Sequence, residues 1–192
     1  MEDSDITLMQ RLKVGNIQSF DQLLVRHHKR VLNIIYKYIG DAVLAEDLVQ
    51  EVFLRVYKAR VTYQPTAKFT TWLYQIVKNL CLQKLKKGGY KVYSMDSHPH
   101  HSGIKPTEYL PSPGALPLEI IEQAEVAEVV KAALAVLPPN QRMALVLNKY
   151  EGLAYNEIAE SMSLSFKAVK SLLSRARVSL KEKLAAYVAL DK

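Results

Sequence analysis

Apolar residues recur at helical spacing along nearly all of this 192-residue sequence, and one long stretch interrupts the pattern. Phe20, Leu23, Leu24, His27, Val31, Ile34, Ile35 and Tyr38 follow the i, i+3, i+4, i+7 rule of a helix that buries one stripe. Ser19 stands where it can cap that helix, and Gly40 where it can end it. A second stripe runs Ala45, Leu48, Val49, Val52, Phe53, Val56, and Pro65 bars its indefinite continuation. A third runs Phe69, Trp72, Leu73, Ile76, Val77, Leu80, and a short helix leads into Gly15. No segment sustains a period of two, so the chain reads as all-α.

Between Gly88 and Leu118 the periodicity stops. Four glycines and five prolines fall there, together with His98, His100 and His101. That composition marks a flexible linker, and the histidines read as solvated loop residues rather than metal ligands. At ~3.3–3.6 Å per residue such a stretch can span roughly 100 Å, so the flanking domains need not touch. Helical spacing returns with Ile121, Ala124, Val129, Val130, Ala133, Leu134 and Leu137, breaks at Pro138-Pro139, and resumes as far as Leu184. The expected organisation is a helical domain over residues 1–87, a Pro/Gly-rich linker over 88–120 and a second helical domain over 121–192.

Charge narrows the class of partner. The chain carries 26 Lys+Arg against 19 Asp+Glu, a net +7, and the excess is unevenly placed. No acid occurs between Glu51 and Asp96, a window that holds Arg55, Lys58, Arg60, Lys68, Lys78, Lys84, Lys86, Lys87 and Lys91. A second acid-free window between Glu160 and Glu182 holds Lys167, Lys170, Arg175, Arg177 and Lys181. Two separated basic windows point to two phosphate-contacting surfaces. No apolar run approaches the ~18 residues of a membrane span. Glu2, Asp3 and Asp5 stand where a signal peptide would be basic. The single Cys81 excludes an internal disulfide and a cysteine-based zinc site. The expectation is a cytoplasmic chain without membrane insertion. No carboxylate pair, nucleophile–base arrangement or phosphate-cradling glycine loop is present, so no enzyme, metal or cofactor is expected.

Two local patterns carry the function. Tyr155 to Ser161 reads as a short helix, Met162-Ser163-Leu164 as a tight turn, and Ser165 as the cap of a second helix. That is the grammar of a helix-turn-helix, whose second helix enters the DNA major groove. Lys167, Lys170, Ser171, Ser174, Arg175 and Arg177 fall on its outer side, where they can meet base edges or phosphates. In the first domain Tyr57, Tyr63, Phe69, Trp72 and Tyr74 interleave with lysines, a mixture that suits unstacked bases and equally suits an aromatic core. Glu46, Asp47, Gln50 and Glu51 make an acidic, polar patch on a chain otherwise built for polyanions. Such a patch belongs on a face turned toward protein or solvent.

The run Ala45-Glu46-Asp47-Leu48-Val49-Gln50-Glu51-Val52-Phe53 and the run Phe69-Thr70-Thr71-Trp72-Leu73-Tyr74-Gln75-Ile76-Val77-Lys78-Asn79-Leu80 closely resemble the first domain of the extracytoplasmic-function (group IV) sigma factors of bacterial RNA polymerase. Leu137-Pro138 with Gln141-Arg142, then Glu151 to Ala159, then Val169-Lys170-Ser171 with Arg175-Ala176-Arg177, resemble their second domain. The resemblance implies that Asp47, Leu48, Gln50, Glu51 and Phe53 bind the clamp helices of the largest polymerase subunit. It implies that Tyr63, Lys68, Phe69, Lys78, Asn79, Gln83, Lys84 and Lys87 melt the promoter and read its downstream element, with Asn79 near a pocket for a flipped base. It implies that the second helix of the C-terminal domain reads the upstream element, that this domain docks on the flap of the second-largest subunit, and that an anti-sigma factor is a partner. Gln83, Ser163, Leu172 and Ser174 depart from the family's usual residues, which bears on the promoter sequence rather than the fold. The alternative reading is a stand-alone helix-turn-helix regulator that acts without polymerase. A third is an interaction protein that sequesters another regulator.

Overall fold

A computed structural model describes residues 4–88 and 117–190. Every element among them is a helix: α1 (Asp5–Lys13), α2 (Ile17–Ile39), α3 (Ala42–Ala59), α4 (Phe69–Gly88), α5 (Pro117–Ala135), α6 (Pro139–Tyr150), α7 (Tyr155–Met162) and α8 (Phe166–Leu190). His98, His100 and His101 and most of the expected linker lie outside the described residues. The helical start at Pro117 reaches into the stretch that composition gives to the linker, because proline's fixed φ suits a first helical turn.

Local chemistry sets the helix ends. Asn16, not Ser19, caps α2: its side chain accepts from the Ser19 amide at 3.1 Å, and Ser19 lies buried in the first turn. Asp41 caps α3 in the same way through the Leu44 amide at 2.9 Å. Gly40 ends α2 at φ 84°, a left-handed conformation that glycine adopts without steric penalty. The same need at the α7–α8 turn falls on Ser163, at φ 56°. There the Leu164 amide reaches back to the Ala159 carbonyl at 2.9 Å and closes the helix end.

α2 is the hub, touching α1, α3, α4, α5 and α6. Its buried stripe of Leu23, His27, Val31, Ile34, Ile35 and Tyr38 is the one the sequence spacing predicts. His27 is tolerated there because Asp5, in the first turn of α1, meets its Nε2 at 2.9 Å and also takes Arg26 at 3.1 Å. The two helical units are not held apart: α6 packs on α2 and α7 packs on α4.

Arg142 of α6 makes the deepest junction between them. Only 7% exposed, it donates to the carbonyls of Tyr38 at 2.9 Å, Leu137 at 3.3 Å and Ala135. Tyr38 and Ala135 lie in the last turns of α2 and α5, where helix dipoles place partial negative charge. Two helix C-termini thus do for this buried cation what a carboxylate usually does.

Candidate protein and nucleic-acid interfaces

The amphipathic turn pattern of α3 divides its residues between core and surface. Leu48 and Phe53 are buried, Asp47 and Gln50 are exposed, and Glu51 is half-buried in an ion pair with Arg55 at 2.8 Å. Beside this polar edge α2 and α3 leave an apolar groove of about 580 Å³, lined by Phe20, Leu24, Val49, Gln50, Phe53 and Leu54. Leu54 is 44% exposed there. The face therefore offers acids and amides next to apolar area.

α4 and the loop before it split the expected promoter-reading residues into three groups. Tyr63 and Phe69 are buried, and Tyr63 stands edge-on to Trp72 at 4.9 Å. Trp72 is half-buried against the same cluster, so the aromatic interleaving is mainly core packing. Asn79 and Gln83, one helical turn apart, are exposed, with Gln83 accepting from Arg55 at 3.5 Å. Lys84 is half-buried, and Lys87 lies in the last turn of α4.

Lys68 and Lys78, the third group, are engaged by α7. Lys68 pairs with Glu157 at 2.7 Å, a contact that raises the lysine pKa and lowers that of the carboxylate. Lys78 donates to the Met162 carbonyl at 3.0 Å and Gln75 to the Glu160 carbonyl at 2.9 Å, so α4 side chains finish the C-terminus of α7. Burial lowers the Lys78 pKa. Nearby the Tyr74 hydroxyl donates to Glu151 at 2.8 Å, with Arg30 4.0 Å from the same carboxylate. Burial raises the Glu151 pKa against the pull of both partners.

α7 and α8 form the helix-turn-helix. Glu157 turns back to accept the Ala154 amide at 3.0 Å, and Ser165 accepts the Ala168 amide at 3.2 Å, so each helix start is fixed. Val169, Leu173 and Ala176 are buried, while Lys167, Lys170, Ser171, Ser174, Arg175 and Arg177 are all exposed. The structure thus brings these six residues together on the outer side of one helix. Arg177 has a second attachment, donating to Asn148 at 3.3 Å and lying over the Tyr155 ring at 6.0 Å. Sequence reasoning missed the structural weight of Arg142, Tyr74 and Glu151, because their partners are distant in the chain. The 50% exposure of Phe166 was not legible, because the residue stands three positions before Val169 at the spacing of a buried stripe.

Among the described residues no group of His, Cys, Asp and Glu is placed to hold a metal, and no helix is long and apolar enough to cross a membrane.

Comparison with known proteins bears on both halves. The family model described as Sigma-70 region 2 matches residues 23–89, and that described as Sigma-70, region 4 matches residues 127–180. The RNA polymerase sigma-H factor of Pseudomonas aeruginosa is 27% identical over 179 residues, 93% of each chain. The ECF RNA polymerase sigma-E factor of Escherichia coli is 30% identical over 187 residues, 94% of each chain. Among solved structures, CnrH in complex with the cytosolic domain of CnrY shares the fold, with a TM-score of 0.71 at 23% identity over 96% of this chain and 99% of that one. The sigma factor RpoE in complex with the anti-sigma factor NepR from Bartonella quintana gives 0.63 at 25% identity over 88% and 98%. Two sigma regions in their proper order define a sigma factor of RNA polymerase. Within that class, the chain belongs to the extracytoplasmic-function family of sigma factors.

Proposed function

We propose that this sigma factor divides its work between its two helical domains. Residues 1–87 bind core polymerase and open the promoter, residues 88–120 connect, and residues 121–192 hold the upstream element. The observation that carries this division is the segregation of exposed charge: acid and amide on α3, Lys and Arg on α8. Asp47, Gln50 and Glu51 meet the clamp helices of the largest subunit, with Leu48 and Phe53 setting the helix and its groove from beneath. Asn79 and Gln83, together with Lys84 and Lys87, face the opened strand, Lys68 and Lys78 join them by exchanging their α7 partners for it, and Tyr63 and Phe69 support that surface. Lys167, Lys170, Ser171, Ser174, Arg175 and Arg177 contact the upstream duplex, while the same domain docks on the flap of the second-largest subunit. The polymerase supplies the chemistry. A protein that covers the α3 face in the manner of an anti-sigma factor is the expected negative regulator. The helices of the first domain, matched by the region 2 family over residues 23–89, have no use in a stand-alone regulator. Run-off transcription with core polymerase tests the reading: promoter-specific transcripts that require this chain support it. Tight duplex binding without core, and no transcript, would overturn it.

A further inference from the structure

Phe166 is the first residue of α8 and half of it is exposed, on the helix side that also carries Lys170 and Ser174. Its ring is not loose. Tyr155, the first residue of α7, backs it at a centroid distance of 6.0 Å with 44° between the planes, and the Arg177 guanidinium lies 6.0 Å over the Tyr155 ring. The Ser165 cap fixes the backbone on which the ring stands. The arrangement holds a phenyl ring partly out of a basic surface, with its outer part in water. The outer part of the ring is thus free to meet a ligand while Tyr155 holds its inner part.

In a helix-turn-helix the N-terminal residues of the second helix come nearest the base edges. A phenyl ring can neither pair with guanine nor neutralise phosphate. The apolar feature of the major groove is the C5-methyl of thymine, and phenylalanine is among the side chains that contact it. We propose that Phe166 is a specificity-determining residue, packing its exposed edge on a thymine methyl in the upstream element while Lys170 and Arg175 supply the polar contacts. The proposal rests on the duplex-reading role given to α8 above.

The test uses the full chain assembled with core polymerase and a pool of duplexes randomised across the upstream segment. The selected duplex is then made with each thymine in turn replaced by deoxyuridine, which deletes only the methyl group. At one position the wild type should lose about fourfold in affinity, the equivalent of ~0.8 kcal/mol for one buried carbon. Phe166→Ala should bind the thymine and deoxyuridine duplexes alike, and Phe166→Leu should restore part of the difference. Equal binding of all the duplexes by the wild type would overturn the proposal and leave the role of α8 standing. Weakened association of Phe166→Ala with core, its base preferences unchanged, would also overturn it and assign the ring to a protein surface. A pool that yields no enriched sequence would overturn the duplex-reading role itself, and the proposal with it.

Discussion

His27 shows how one buried side chain ties acidity to folding. It is 4% exposed, its Nε2 meets Asp5, and its Nδ1 is buried with no partner. Burial lowers its pKa below the ordinary 6.5, although Asp5 pulls the other way. In the neutral ring Nε2–H donates to Asp5 and Nδ1 carries no proton; charging the ring would bury an N–H without an acceptor. The folded chain therefore resists a proton that the unfolded chain accepts near 6.5. Its contribution is full above that value and is lost as pH falls through it toward the lower folded pKa. The urea midpoint at about pH 5.5 should lie below that at about pH 7.5. His27→Gln should narrow the gap, and an unchanged gap would place the effect elsewhere. At the same scale, Asp47→Ala or Gln50→Ala should weaken core binding by about 1 kcal/mol or more. Neither should alter upstream-duplex affinity, since both side chains leave the helix toward solvent. A loss of both activities would make α3 merely structural. Sequence spacing placed His27 on the buried stripe correctly, but Asp5 as its partner was invisible, because 22 residues separate them and no period links them.

Elements carry what single residues cannot. The outer side of α8 should behave as a unit: Lys170→Ala or Arg175→Ala should cost about 1–3 kcal/mol in upstream-element binding where the contact is bidentate to a base. A uniform loss over all sequences would identify a phosphate contact instead. Asn79→Ala, on the exposed side of α4, should impair promoter opening and spare closed-complex affinity, because an amide reads a base but neutralises no phosphate. Measuring binding and opening separately distinguishes the three variants. Arg142 joins elements directly, and Arg142→Met should lower stability by about 3 kcal/mol by orphaning helix-end carbonyls of α2 and α5. A melting temperature equal to wild type would refute that account. Helix existence and the helix-turn-helix were legible because each depends on local period and caps. The attachment of α6 to α2 was not, since carbonyl oxygens leave no trace in a sequence.

At the scale of the whole molecule, the described arrangement is closed. The Lys68–Glu157 pair adds little to closure, because the lysine is 72% exposed and such pairs are screened by water and salt. Tyr74–Glu151 is different: the carboxylate side chain is only 7% exposed, and the phenol satisfies it directly. Tyr74→Phe should therefore loosen the end of α6 from α4 more than Glu157→Gln loosens α7, and should enlarge the radius of gyration measured by X-ray scattering. Equal radii in all three proteins would show that neither pair is needed for closure, which the Arg142, Lys78 and Gln75 bonds and apolar packing would then hold. A linker long enough to separate two domains does not decide whether they separate. The length was legible in the prolines and glycines; the closure depends on pairs such as Tyr74 and Glu151, 77 residues apart.

The Glu157 carboxylate against Lys68 also changes what ions do when DNA arrives. An exposed lysine ordinarily meets a phosphate by releasing a counterion that the DNA had condensed, and that release drives binding at low salt. Lys68 already has an anion, so taking a phosphate means surrendering a carboxylate to water, an ion pair that salt also weakens. As salt weakens the phosphate contact it weakens the competing pair as well. Binding to an opened strand should consequently respond to salt with a shallower slope than in Glu157→Gln, by at most roughly 0.7, the single-strand value for one phosphate contact. An ion pair too weak to hold the protein together can in this way set how sharply transcription answers to the salinity of the cell.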